Sequence, residues 1–218
     1  MTTVAHATSP RGEVALTTRD DGAVLELRVN GTFVMDTHET SSERALARAA
    51  LAAVADPARV LIGGLGLGFT TAEVLADPRV RAVDVVEIEE AVVGWMRDGT
   101  VPHGPELLAD PRVTVHVADV LARLASVPPA GYDVVLLDVD NGPDQLVHLR
   151  NRSLYERGGL ALARRALATG GALVVWSAHP SPGLETELRT TVGSVRVQRV
   201  PVVLAGRDTE YWVYAAVR

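Results

Sequence analysis

Twelve residues, Val60 to Thr71, constrain the fold of this chain more than any others. The run Val60-Leu61-Ile62 breaks into Gly63-Gly64-Leu65-Gly66-Leu67-Gly68 and resumes at Phe69-Thr70-Thr71. That order reads as a buried parallel strand, a tight turn where backbone must come close to something, and a helix N-terminus. A glycine turn alone is weak evidence. The next apolar run ends in Asp84-Val85-Val86-Glu87, which places Glu87 19 residues beyond Gly68. This is near the ~20-residue spacing at which nucleotide-binding α/β units set a carboxylate on a ribose. A unit that binds a nucleotide or a nucleoside cofactor is expected.

Composition removes several alternatives. All 21 basic residues are Arg, so the turn has no phosphate-binding lysine and the chain has no lysine for a Schiff base. The absence of cysteine excludes disulfides, thiolate nucleophiles and cysteine metal sites. No spacing of His and carboxylates resembles a metal site, so no metal is expected. A net charge of -6 with scattered arginines argues against a nucleic-acid surface. No apolar run approaches the ~20 residues of a membrane span, and the first dozen residues hold no hydrophobic signal core, so a cytoplasmic location is expected.

Residues 1-11 lack periodicity and read as a frayed tail. Between Val14 and Met35, short β-prone runs are separated by Asp21-Gly22 and Asn30-Gly31, the pattern of a hairpin meander. A polar strip, residues 36-42, precedes a helix from about Ser42 to Ala55, with Ser42 as a candidate cap. The strip reads either as a solvated linker or as a segment folded over the site. Strands are then expected at 59-63, 80-87, 112-118, 132-138 and 171-177. Helices are expected near 70-77, 89-98, 119-126 and 153-168, the last ended by Gly170-Gly171. Continuous runs such as Val134 to Leu137 belong to strands buried on both faces of a parallel sheet. A helix at about 182-192 leads to two consecutive strands, Val195 to Leu204 and Tyr211 to Val217, joined by a turn at 205-208 and therefore antiparallel. The predicted architecture is α/β and Rossmann-like: a mostly parallel seven-stranded sheet closed by an antiparallel hairpin, the layout of class I methyltransferase-like folds. Residues 12-40 would form a small antiparallel β segment and 41-218 the main domain.

Ligands sit at the carboxyl ends of strands in such sheets. Those positions hold the Gly63–Gly68 turn, Glu87-Ile88-Glu89-Glu90, Asp119, Asp138-Val139-Asp140-Asn141-Gly142-Pro143 and Ser177-Ala178-His179. The excess of acid suits a cationic ligand. Glu87 can accept from both ribose hydroxyls. Asp119 reads as a helix N-cap, an adenine-edge contact, or both. Asp138 follows four apolar residues, where an unpaired carboxylate is costly. His179 reads as a hydrogen-bonded loop residue sooner than as a base.

These stretches resemble the spermidine synthase family of polyamine aminopropyltransferases, within the class I S-adenosylmethionine-dependent fold. Val60 to Thr71 is similar to the family's cofactor turn, Val83 to Val92 to its ribose-binding stretch, Val117 to Leu121 to its adenine-side Asp, and Tyr132 to Asp138 to its catalytic strand. The resemblance implies cofactor binding by Gly63, Gly64, Gly66, Gly68, Glu87, Ile88, Asp119, Val120 and Asp138. It implies chemistry at Asp138, for which Asp140, His38, Glu39 and His179 are candidate helpers on their position in the chain alone. It also implies a homodimer. The chain departs from the family pattern at Gly66, where an Asp that helps hold the donor's amine is usual. It departs again in Asp138 to Pro143, and in the first long helix, where Leu46-Ala47 replace a Tyr-His pair. On those departures the expected activity is methyl transfer from S-adenosylmethionine to a small-molecule acceptor. Aminopropyl transfer from decarboxylated S-adenosylmethionine, and cofactor binding without turnover, are the alternatives.

Overall fold

The N-terminal residues are ordered as strand, not tail. In the computed structural model, which describes residues 2-139, 141-143, 146, 149-204 and 206-218, β1 (Thr2–Ser9) pairs antiparallel with β2 (Gly12–Arg19). As an edge strand β1 is exposed along much of its length, so it carries no apolar alternation that a sequence reading could detect. The other expected hairpins form. β3 (Val24–Val29) follows a 3-10 turn at Asp20–Gly22, and Asn30-Gly31, both at positive φ, join it to β4 (Thr32–Asp36). The four strands lie in the order β1-β2-β3-β4.

Helix α1 (Ser41–Ala53) crosses to the second sheet. Its buried positions Leu46, Ala47, Ala50 and Leu51 recur at helical spacing, and they join Val14, Leu16 and Leu27 of the first sheet in one apolar cluster with the main sheet. Ser42 does not cap it: Thr40 is the N-cap residue, and the Ser42 hydroxyl donates instead to Glu43 Oε2 at 2.7 Å.

The main sheet contains β5 (Arg59–Gly63), β6 (Ala82–Glu87), β7 (Val113–Val117), β8 (Tyr132–Leu137), β9 (Leu167–Ser177), β10 (Ser194–Leu204) and β11 (Arg207–Val217), in the order β10-β11-β9-β8-β5-β6-β7. All neighbours are parallel except the β9-β11 and β11-β10 pairs. This is the Rossmann-like class I arrangement with its terminal hairpin. Helices α2 (Phe69–Leu75), α3 (Glu90–Arg97), α4 (Gly104–Leu108) and α5 (Val120–Ser126) occupy the crossovers before β8.

The expected helix over 153-168 is interrupted. Glu156 is extended between α6 (Arg152–Tyr155) and α7 (Arg157–Ala166), and β9 begins at once at Leu167. Gly170-Gly171 therefore end no helix. They lie in the irregular start of β9, where register shifts against β8 between Tyr132 and Val134, and Gly170 takes φ 78. After α8 (Pro182–Thr191), β10 and β11 pair as far as Leu204 and Arg207. Arg207 and Asp208 thus belong to the strand and not to the turn, while Ala205 lies outside the described residues. No helix among the described residues is long and apolar enough to cross a membrane.

Candidate functional site

A cleft opens at the carboxyl ends of β5, β6 and β8, roofed by Leu27, Val29, Val34 and Met35 of the first sheet. The turn after β5 forms its floor. Gly64, Gly66 and Gly68 take φ 95, 50 and 85, values that an L side chain rarely tolerates. Gly64 and Gly66 line the cleft; Gly63 and Gly68 do not, and pack against Val120 and against Leu107 and Met96 respectively.

Glu87, at the end of β6, is buried and turned back onto this floor. Its Oε2 accepts from the Leu65 amide at 2.9 Å and its Oε1 from the Glu89 amide at 2.8 Å, with further support from the amides of Gly66 and Ile88. Burial pushes its pKa upward against these four donors, which favour the ionised form. Asp119 is the N-cap of α5. Its Oδ1 accepts from Leu121 and Ala122 at 2.7 and 3.2 Å, so it caps the helix, and the residue also lines the cleft. Ile88 and Val120 line it too.

Asp138, also in the lining, directly follows β8. Its amide donates to Gly63 O at 2.8 Å, and its Oδ2 accepts from the Thr70 hydroxyl at 2.6 Å. Burial pushes its carboxyl up to about 6, against that hydrogen bond. Beside it lies Glu43, in the first turn of α1, which the sequence reading did not single out. Glu43 is buried, and burial, followed by the charge of Asp138, raises it to about 7. Two carboxylates poised near neutrality in one cleft are groups that can hold or receive a proton at working pH.

The other candidates sit apart. His38 is exposed and its backbone N–H donates to Asp36 Oδ1, so its ring does not line the cleft. Glu39 and His179 also lie off the cleft lining. The 36-42 strip is ordered by Asp36, which accepts from the amides of His38 and Glu39 and from Arg19. Asp140 lies outside the described residues. Trp176 also lines the cleft, and its ring packs tilted against that of Tyr211 with centroids 4.8 Å apart, so the terminal hairpin borders the site through it.

Two properties set the chemistry. Among the described residues, the cleft lining holds five carboxylates (Glu43, Glu87, Glu89, Asp119 and Asp138) and neither Arg nor His. The amides of the turn are also taken: Gly64 donates to Val86 O, Leu65 and Gly66 to Glu87, Leu67 to Met35 Sδ and Gly68 to Leu65 O. A cationic ligand finds partners here, and an anionic group finds no free donor in the turn.

Residues 39–199 match the spermine/spermidine synthase domain family model. The chain belongs to that family. It is 35% identical over 90% of its length to polyamine aminopropyltransferase 2 of Streptomyces coelicolor, and 35% identical over 81% to the polyamine aminopropyltransferase of Mycobacterium tuberculosis. It spans about a third of the length of each, 35% and 33% respectively. Putrescine N-methyltransferase 3 of Nicotiana tabacum is 32% identical over 56% of the chain, which covers 31% of that protein. A crystal structure of spermidine synthase in complex with the transition-state analogue AdoDATO superposes with a TM-score of 0.83 at 18% identity, over 99% of this chain and 73% of that one, and shares its fold. These comparisons overturn the expectation of methyl transfer: the relatives matched over most of the chain are aminopropyltransferases, and the methyltransferase covers little more than half.

Proposed function

We propose that the chain is the catalytic unit of an aminopropyltransferase that uses decarboxylated S-adenosylmethionine and a small amine acceptor. The observation that carries this reading is the acid-lined cleft whose turn amides are already occupied. S-adenosylmethionine carries an α-carboxylate, which would enter a cleft lined by five carboxylates and, among the described residues, by neither Arg nor His. Its decarboxylated form presents only cations.

In this reading Glu87 takes the ribose hydroxyls, Asp119 the adenine amine, and Ile88 and Val120 the faces of the base. The 12-40 segment, extended by β1, serves as roof and 41-218 as the transferase body. The sulfonium of the donor supplies a neutral thioether leaving group. The acceptor nitrogen forms the new N–C bond as the C–S bond breaks, its electron pair passing to sulfur. Asp138 receives the proton that the nitrogen gives up, and Glu43 holds positive charge beside it. A carboxyl raised to about 6 is a better base than an ordinary aspartate and still ionised at pH 8.

Calorimetric titration tests the donor assignment. Decarboxylated S-adenosylmethionine is expected to bind at least about tenfold more tightly than S-adenosylmethionine, the equivalent of roughly 1.4 kcal/mol. Equal or tighter binding of the carboxylated form would overturn the assignment.

A pH profile tests the acid pair. Both carboxyls must lose their protons to receive one and to hold an ammonium, so kcat/KM is expected to rise as pH increases through about 6 to 7. The limiting slope below that window should approach two protons and fall to one in Glu43→Gln. An unchanged slope in that variant would remove Glu43 from the chemistry.

A further inference from the structure

The β1-β2 hairpin reaches the edge of the cleft through the side chains of Ser9 and Arg11. Arg11, at the hairpin's turn, donates from Nε to Glu89 Oε1 at 2.7 Å and from Nη2 to Ile88 O at 2.6 Å. The Ser9 hydroxyl adds a bond to the same Glu89 oxygen at 3.2 Å. Glu89 is buried at 7% exposure, so removing Arg11 leaves a desolvated carboxylate with only the Ser9 hydroxyl as a hydrogen-bonding partner among the described residues. The segment so held is the one that aims Glu87, whose Oε1 accepts from the Glu89 amide while its Oε2 is held by Leu65. A continuous path thus runs from the hairpin guanidinium through the 88-89 backbone to the Glu87 carboxylate.

We propose that Arg11 is a positioning residue for the donor nucleoside: by clamping Ile88 and Glu89 it fixes the Glu87 carboxylate in the orientation that accepts from the ribose hydroxyls. This rests on the assignment of Glu87 to the donor ribose. Arg11 is 77 residues from Ile88 in sequence, so the hairpin's attachment to the main sheet and the geometry of the ribose site are set together. Loss of the clamp lets the 88-89 peptide rotate, and Glu87 then loses a donor from one oxygen and its fixed aim toward the cleft.

The probes are 5′-methylthioadenosine, the nucleoside thioether left after transfer, and its 2′-deoxy analogue. Both are titrated into the full chain, into Arg11→Met, which keeps the aliphatic bulk, and into Arg11→Lys. The wild type is expected to prefer the ribo form. Arg11→Met is expected to bind the ribo form about tenfold more weakly, the usual scale for a lost charge-assisted hydrogen bond, with a smaller loss for the deoxy form, which keeps one of the two hydroxyls, so the ratio falls. Arg11→Lys should recover part of it. A purely structural role would reduce the competent fraction and leave the ratio unchanged, which would overturn the proposal. So would an Arg11→Met variant that keeps both affinities. Failure of the wild type to bind either nucleoside would overturn the donor assignment itself, and the positioning role with it.

Discussion

Asp138→Asn is expected to slow aminopropyl transfer by about a hundredfold or more while making the folded chain more stable at pH 8. The two effects share one cause. Burial raises the carboxyl from the ordinary aspartate value of 3.8 to about 6, so the folded chain holds that proton more tightly than the unfolded chain does. Stability attached to this group is fully present below about pH 4 and is lost as pH rises through 6. Above that, carrying the charge costs on the order of 1–3 kcal/mol, given about 1.4 kcal/mol per pH unit of separation and residual contact with the cleft. Asparagine has the same shape, cannot ionise, and still offers an oxygen to the Thr70 hydroxyl, now at 2.6 Å from Asp138 Oδ2. Urea unfolding at pH 8 and pH 4 checks this: the gain should appear at pH 8 and shrink toward zero at pH 4. A variant less stable than wild type at pH 8 would show that the carboxylate is compensated in the fold, and that its raised pKa is not stored for chemistry.

How much of this was legible in the sequence follows from where each signal is written. The glycine turn, the buried strands and Glu87 depend on local pattern: continuous Val/Leu runs, a break into glycine, and a fixed distance to the next strand end. β1 was hidden because an edge strand exposed on most of its length needs no alternation. The break at Glu156 was missed although Gly158-Gly159 follow it: Gly159 comes so close to the carbonyls of Ser153 and Leu154 that an added Cβ would lie 2.4 and 2.6 Å from them, a tertiary requirement that a pair of glycines does not spell out. Arg11 and Glu43 acquire meaning only from neighbours some 80 and 95 residues away in the chain, Glu89 and Asp138. The ranking of methyl over aminopropyl transfer rested mainly on Gly66. That reasoning assumed that an acid missing from the turn is missing from the site, whereas α1 brings the Glu43 carboxylate into the same cleft from outside it. A motif reports which residues neighbour one another in sequence, and a site's charge is the sum over all the elements that border it.

The two cleft-lining glycines of the turn should therefore respond differently to substitution. At position 64, with φ 95, an added Cβ would lie 2.1 Å from the carbonyl oxygen of Asp138 and 2.9 Å from its carbonyl carbon. Neither side can yield, because Gly64 N is bonded to Val86 O and Asp138 N to Gly63 O, both at 2.8 Å. Gly64→Ala must move a strand end, and it is expected to cost more than about 3 kcal/mol and to abolish nucleoside binding. At position 66, with φ 50, the Cβ would meet Met35 Sδ at 2.5 Å, a flexible side chain on the roof. Gly66→Ala is expected to cost about 1–2 kcal/mol, the scale of a left-handed alanine plus a displaced thioether. Part of that should return in Gly66→Ala combined with Met35→Ala, which removes the clash and leaves the backbone penalty. Urea unfolding of the three variants, with 5′-methylthioadenosine titration of those that fold, separates the two positions. Equal losses at 64 and 66 would mean that the turn and the end of β8 move as one body. The pinning of Asp138 against Gly64, on which the geometry of the acid pair depends, would then be wrong.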